Sequence, residues 1–225
     1  MQKEYIIEAK NLTRSFQDGA NVVKVLKGVD IQVMPGEFVA IMGRSGAGKS
    51  TTMYQLSLLD EPTSGSIKLM GHSTESMDGE ARTNFRLYNL GYVFQDYSLI
   101  PELTAIENVM LPLMMQGKSD EVATAMAKKA LEEVNLGHRL SNKPSELSGG
   151  EQQRVSIARA IAHSPLILFA DEPTANLDTA SSDTVMDIFK KLNKEGLTIV
   201  MVTHEDEYVK VVDRVIRMQD GLVLQ

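Results

Sequence analysis

The sequence predicts an α/β fold: a largely parallel, covered sheet with an antiparallel β portion toward the N-terminus and an inserted helical portion. Three observations lead there. Four short runs, Phe38–Met42, Gly91–Phe94, Leu166–Ala170 and Thr198–Val202, are almost wholly apolar and read as buried strands. Helical patterns separate most of them, as crossovers between parallel strands require. The first run leads into Gly43-Arg44-Ser45-Gly46-Ala47-Gly48-Lys49-Ser50, the strand–GxxxxGK[ST]–helix pattern of the phosphate-binding P-loop.

The chain of 225 residues suffices for one large α/β domain, or for one domain with a sizeable insertion. Apolar residues at 43% and charged residues at 24% give the balance of an ordinary soluble globular protein. A formal charge of -7 argues against general affinity for nucleic acid or acidic membrane surfaces. The absence of cysteine excludes disulfides and thiolate metal sites and fits a cytosolic address. Met1–Lys10 has no apolar core of a secretory signal, and no stretch reaches the roughly 20 apolar residues of a membrane span. The richest stretch, Val109–Met115, is short and interrupted by Pro112. A membrane role therefore requires a partner.

Along the chain, Tyr5–Leu12 and Val22–Val33 have partly alternating, strand-like patterns, separated by the polar turn Gln17–Asn21. Thr51 carries the P-loop into a helix. Between Asp96 and Leu147 the strand signal disappears: Thr104-Ala105-Ile106-Glu107 is a capping-box pattern, and Ser119–Val134 is rich in Ala, Glu and Lys. Residues 96–163 read as a helical insertion whose last helix opens in Leu147–Arg154, LSGGEQQR. A turn at Gln219-Asp220-Gly221 closes a terminal hairpin within Met218–Leu224.

Function is carried by the residues just past each buried strand. Ligands of open parallel sheets sit beyond the carboxyl ends of the strands. Those ends deliver the P-loop, Gln95, Asp171-Glu172 and Thr203-His204, four polar tips expected at one sheet edge. The P-loop glycines bring backbone N–H groups close to phosphate oxygens, Lys49 supplies a point charge, and the Ser50 hydroxyl suits Mg²⁺. Asp171 and Glu172 alone would be an acidic helix entry. Behind a P-loop they read as a Mg²⁺-holding acid and a carboxylate that polarises the attacking water. His204 and Gln95, each unspecific alone, gain meaning at that edge: one hydrogen-bonds a γ-phosphate, the other touches Mg²⁺ and the water. Ser148-Gly149-Gly150-Glu151 admits two compatible readings, a self-satisfied capping box and an anion contact. Consecutive glycines cost helix stability and a plain cap does not need them, which favours close approach by something else.

Taken together these residues resemble the ATP-binding-cassette (ABC) ATPases over essentially the whole chain. The P-loop, Gln95 of the Q-loop, the signature Leu147–Glu151, the Walker B run Leu168–Asp171, Glu172, the D-loop Ala175-Asn176-Leu177-Asp178 and His204 keep the family order. Phe16 matches the aromatic that stacks on adenine, usually Tyr; Phe keeps the π-face and loses the hydroxyl. Glu151 stands where Gln is commoner. The resemblance implies a single ABC ATPase domain: a P-loop NTPase core with an antiparallel β subdomain (about 1–95 and 164–225) and an inserted helical subdomain (about 96–163). It implies ATP and Mg²⁺ as cofactors. The nucleotide is then bound by Phe16, Gly43–Thr51 (Gly43, Arg44, Ser45, Gly46, Ala47, Gly48, Lys49, Ser50 and Thr51), Ser148, Gly149, Gly150 and Asp178. Ser50, Gln95 and Asp171 serve the metal; Glu172, His204 and Gln95 serve catalysis.

The family also implies a head-to-tail homodimer in which each signature helix caps the ATP on its partner's P-loop. Gly91–Gln95 with Leu99–Val109 and Leu111–Leu113 is similar to the ATPases of lipoprotein-releasing, macrolide-efflux and antimicrobial-peptide-resistance systems. That similarity implies a separate integral-membrane permease with an extracytoplasmic domain, and a cytoplasmic location at the membrane's inner face. Tyr97, Leu99, Met110, Met114 and Met115 then offer an apolar docking groove, or are simply core. Two alternatives stand beside this: an ABC ATPase serving nucleic acid, disfavoured by the charge and the short insertion, and a dimerising ATP switch without rapid turnover, as in a cell-division complex.

Overall fold

The protein, seen in a computed structural model, is described over residues 4–19 and 21–224; Ala20, within the turn expected before the second strand, lies outside them. The chain runs through β1 (Ile7–Asp18), β2 (Asn21–Val33), β3 (Phe38–Met42), α1 (Lys49–Leu56), β4 (Ser64–Leu69), β5 (His72–Ser73), α2 (Gly79–Asn89) and β6 (Leu90–Val93). It continues through α3 (Ala105–Met115), α4 (Asp120–Glu133), α5 (Gly149–Ile161), β7 (Ile167–Asp171), α6 (Thr179–Lys194), β8 (Thr198–Thr203), β9 (Arg214–Gln219) and β10 (Leu222–Val223). Two compact units result, Met1–Asn84 with Thr198–Gln225, and Phe85–Leu197.

In the first unit an antiparallel sheet has the order β2-β1-β4-β5, and a second layer has β3 between β8 and β9, with β10 outside β9. β3 pairs in parallel with both neighbours, and all five of its residues are buried, as are all six of β8. That explains their continuous apolar composition: a strand covered on both faces has no polar side to alternate with. β2 alternates where one face meets the core, with Leu26, Val29, Ile31 and Val33 buried, and is exposed from Asn21 to Lys24. β1 extends to Asp18, six residues beyond the strand expected from sequence, because the polar residues after Leu12 pair with β2. The C-terminal hairpin forms as expected, Leu222 opposite Gln219.

In the second unit β6 and β7 pair in parallel, and between them the chain is helical. α3 starts at the expected capping box: the Thr104 hydroxyl accepts from the Glu107 amide at 3.4 Å and the Glu107 carboxylate accepts from the Thr104 amide at 2.7 Å. Asn108, fully buried, fixes the preceding loop. Its Oδ1 accepts from the Ile100 amide and its Nδ2 donates to the carbonyls of Ile100, Leu103 and Thr104 at 3.0–3.1 Å. α4 is capped by Ser119 and buries Ala123, Ala127, Ala130 and Leu131, one face at helical spacing. α5 lies so close to β6 that a side chain at Gly91 would overlap the Ala160 carbonyl oxygen. Both β6 and β7 are shifted by one residue from expectation, so that Asp171 is itself the last residue of β7.

His163, just after α5, is held with Nε2 3.1 Å from the Leu90 carbonyl oxygen, while its Nδ1 is buried without a partner. Burial pushes this imidazole below its ordinary value of 6.5, outweighing the hydrogen bond that favours the cation. Between those two values the unfolded chain binds a proton that the folded chain refuses, so stability rises with pH there. The urea midpoint is expected to fall from pH 7 to pH 5, and His163→Gln to flatten that part of the profile; an unaltered slope in the variant contradicts this.

Candidate functional site

In the first unit the site grows from one register pair. Met42 of β3 lies opposite Thr203 of β8, so Gly43 and His204 leave adjacent strand ends. The chain after Gly43 folds back on itself: a side chain there would overlap the Met218 carbonyl oxygen and approach the Ala47 Cβ at 3.2 Å. Gly48 takes φ +95° as the N-cap of α1, a left-handed conformation that favours glycine. Having no side chain, Gly48 leaves the first amides of α1 without a capping partner from its own N-cap residue. Helix N-termini of this kind attract anions. Lys49 is buried at 7% exposure, and its Nζ makes one long contact, 3.3 Å to the Arg44 carbonyl oxygen. An ammonium has three donors, so a buried lysine with one weak partner fits a site completed by phosphate oxygens. Arg44, Ser45 and Gly46 form the exposed crest of the loop, Ala47 is buried, and Ser50 and Thr51 are half-buried in the first turn of α1. Phe16 lies on β1 opposite Val23 and is 43% exposed.

In the second unit a second register pair does the same. Val93 lies opposite Ala170, so Gln95 and Glu172 emerge beyond neighbouring strand ends. Gln95 is exposed, Asp171 is buried at 6% exposure, and Glu172 is half-buried. Glu172 has φ +43°, unusual for a residue with a Cβ, and its carbonyl accepts from the Ala175 amide at 3.2 Å. Such a conformation costs on the order of 1 kcal/mol and recurs where a side chain must be aimed for function. Asp178 is the N-cap of α6, accepting from the Ser181 amide at 2.8 Å; that bond, with the Ser181 hydroxyl, holds its carboxyl below the usual range.

The capping-box reading of the α5 start is realised. The Ser148 hydroxyl accepts from the Glu151 amide at 3.3 Å, and the Glu151 carboxylate accepts from the Ser148 amide at 2.8 Å. This amide bond, with Ser148 Oγ and Arg139 at 2.9 Å, keeps Glu151 below its ordinary 4.5 despite partial burial. Arg139 thus offsets the charge introduced where glutamine is commoner. The two glycines also have intrachain reasons. A Cβ at Gly149 would come 2.9 Å from the Tyr97 hydroxyl, and one at Gly150 would come 2.5 Å from Ser181 Oγ and 2.8 Å from its Cβ.

Sequence reasoning missed the anchoring of the Gln95 loop. Tyr97 and Ser98 both have positive φ, +63° and +48°. Arg159 of α5 holds that turn, donating to the Ser98 carbonyl at 2.6 Å and the Tyr97 carbonyl at 3.0 Å. Asn176 donates to the Gln95 carbonyl at 3.0 Å. The signature helix and the D-loop are therefore each tied to the Q-loop. Arg159 carried no signal beyond its place on a helix. Of the residues expected either to offer an apolar docking groove or to be core, Met110 is buried, Tyr97 and Leu99 are half-buried, and Met114 and Met115 are 52% and 68% exposed.

Gly150→Ala is expected to destabilise the protein by about 1–3 kcal/mol through overpacking against Ser181. Ser181→Gly should recover most of that loss in a double-mutant cycle followed by urea unfolding, and simple additivity of the two changes contradicts the packing account.

The ABC transporter family profile matches residues 26–175. The lipoprotein-releasing system ATP-binding protein LolD of Aquifex aeolicus is 48% identical over 97% of this chain and 96% of its own. The macrolide export ATP-binding/permease protein MacB of Marinobacter nauticus is 44% identical over 100% of this chain, which spans only 35% of that protein. The dimeric, post-hydrolysis structure of the ATP-binding cassette MJ0796, bound to ADP and Pi, superposes with a TM-score of 0.90 at 41% identity over 97% of both chains. With the P-loop, the uncapped α1 terminus and the paired strand tips in place, the chain belongs to the ABC transporter family, as one of its ATP-binding, ATP-hydrolysing cassettes.

Proposed function

We propose that this cassette works as a head-to-tail homodimer that closes on ATP and reopens on hydrolysis, driving a separate integral-membrane permease of the lipoprotein-releasing or macrolide-export kind. The observation that carries this reading is the likeness, over 97% of both chains, to a cassette whose structure is dimeric with ADP and Pi bound. Similarity to the ATP-binding protein of a lipoprotein-releasing system, over 97% of this chain and 96% of that one, supports work in a system of that kind. Among the described residues no helix is long and apolar enough to cross a membrane, which agrees with attachment to the inner face through that partner.

The amides of Gly46–Ser50 and the Lys49 ammonium hold the phosphates, while Phe16 receives the adenine. Ser148, Gly149 and Gly150 of the second copy meet the same nucleotide, with Asp178 fixing the D-loop beside them. Among the described residues no three His, Asp or Glu side chains gather into a metal cage. A donor set of the Ser50 hydroxyl, the Gln95 amide and the Asp171 carboxylate suits Mg²⁺, which takes few protein ligands beside water and phosphate. The metal's role is to neutralise charge on the phosphate oxygens. Glu172, aimed by its left-handed backbone, orients and deprotonates the attacking water, and His204 hydrogen-bonds the γ-phosphate. Residues 96–163 form the helical subdomain, where exposed Met114, Met115 and Ile100 give the permease an adaptable apolar surface.

Glu172→Gln is expected to lower steady-state ATP hydrolysis by roughly 10²-fold or more while ATP affinity stays within a few-fold, since general-base catalysis supplies that much. Equal turnover by wild type and variant contradicts the assignment of the base and favours a slow ATP switch.

A further inference from the structure

The base-binding end of the proposed nucleotide site contains a built feature that the P-loop does not require. The Arg14 guanidinium lies 4.5 Å from the centroid of the Phe16 ring. It is not a loose surface cation. Arg14 Nη2 donates to Asp60 Oδ1 at 2.6 Å, with side-chain exposures of 23% and 26%, and Arg14 Nε is buried without a partner. Asp60 is itself fixed relative to the P-loop helix, its amide donating to the Tyr54 carbonyl of α1 at 3.0 Å. Two further bonds knit the same segments: the Thr63 amide to the Thr13 carbonyl at 2.8 Å, and the Ser15 amide to Thr63 Oγ1 at 3.0 Å. A continuous path thus runs from α1 through Asp60 and Arg14 to the Phe16 ring, all within the first unit.

We propose that Arg14, held by Asp60, is a positioning residue for the nucleotide base: it backs the Phe16 ring and sets the ring's place relative to the phosphate cradle. The proposal rests on the reading of Phe16 as the adenine platform. Phenylalanine lacks the hydroxyl with which a tyrosine at this place would anchor itself, and the guanidinium supplies the anchor from behind. A cation against one face also draws π-density toward itself, which lessens repulsion between the other face and a stacked purine. Phe16 as a residue is 43% exposed, which leaves it open to that contact. The consequence is selective: Arg14 contributes to binding of the base and not to binding of the phosphates.

Calorimetry with the full chain, using ATP and inorganic tripolyphosphate as probes, separates the two. Arg14→Met should raise the Kd for ATP about three- to fivefold, the range of an exposed cation–π contact, and leave the Kd for tripolyphosphate unchanged. Asp60→Asn should move ATP affinity in the same direction by less, and it carries the test if Arg14→Met does not fold. Equal weakening of both ligands, or of neither, overturns the proposal. Phe16→Ala distinguishes the two levels. If it leaves ATP affinity unchanged, the platform reading itself fails; if it weakens ATP binding while Arg14→Met does not, only the role of Arg14 falls.

Discussion

The rest of the site depends on a place where backbones meet with no room for a side chain. At the mouth of the P-loop, Gly43 presses on the Met218 carbonyl and Gly221 on the Val25 carbonyl. The Gly221 amide donates to the Ala47 carbonyl at 3.1 Å, and the Lys27 amide to the Gly221 carbonyl at 2.9 Å. β2, the P-loop and the C-terminal hairpin are thereby locked into one node. A loop held this way presents its amides in fixed directions, and a preorganised cradle loses little entropy when an anion enters. A buried Lys49 with one long contact, to the Arg44 carbonyl, fits such a cradle.

The two glycine-bearing helix starts then have contrasting physics. α1 begins at a residue with no side chain, so its N-cap offers no side-chain acceptor to the first amides, the kind of helix start that suits an anion. α5 begins at a serine whose capping box already satisfies both its own amide and that of Glu151. Gly149 and Gly150 serve first to let Tyr97 and Ser181 approach. A signature helix stiffened by its own cap, with the Q-loop tied to it through Arg159, is suited to relay a contact at its tip to that loop. Rigid elements with few alternatives transmit small shifts better than soft ones.

Much of this was legible in the sequence because it depends on local chemistry. Strands buried on both faces wrote themselves as apolar runs, and the capping boxes at Thr104 and Ser148 are spacing rules. The P-loop pattern fixed both a conformation and a ligand class. What stayed hidden depends on contacts distant along the chain. The tip of β1 is polar and pairs only because β2 folds against it, so its extension to Asp18 left no periodic trace. The short β4 and β5 were missed for the same reason. The Arg14–Asp60 pair spans 46 residues, and Arg159 meets residues 61 and 62 positions away. Nor does sequence reveal that Met110 faces the core while Met114 and Met115 face outward, because an apolar helix permits either.

The central claim is that one chain holds half of each catalytic site and a second copy supplies the other half. Sedimentation of the Glu172→Gln protein with and without ATP, beside the same protein carrying Ser148→Arg, tests it most directly. The account predicts an ATP-dependent dimer for the first. For the second it predicts a monomer that still binds one ATP per chain with nearly unchanged affinity. A Glu172→Gln protein that stays monomeric at saturating ATP, or a Ser148→Arg change that weakens ATP binding to the monomer as much as it weakens dimerisation, contradicts it.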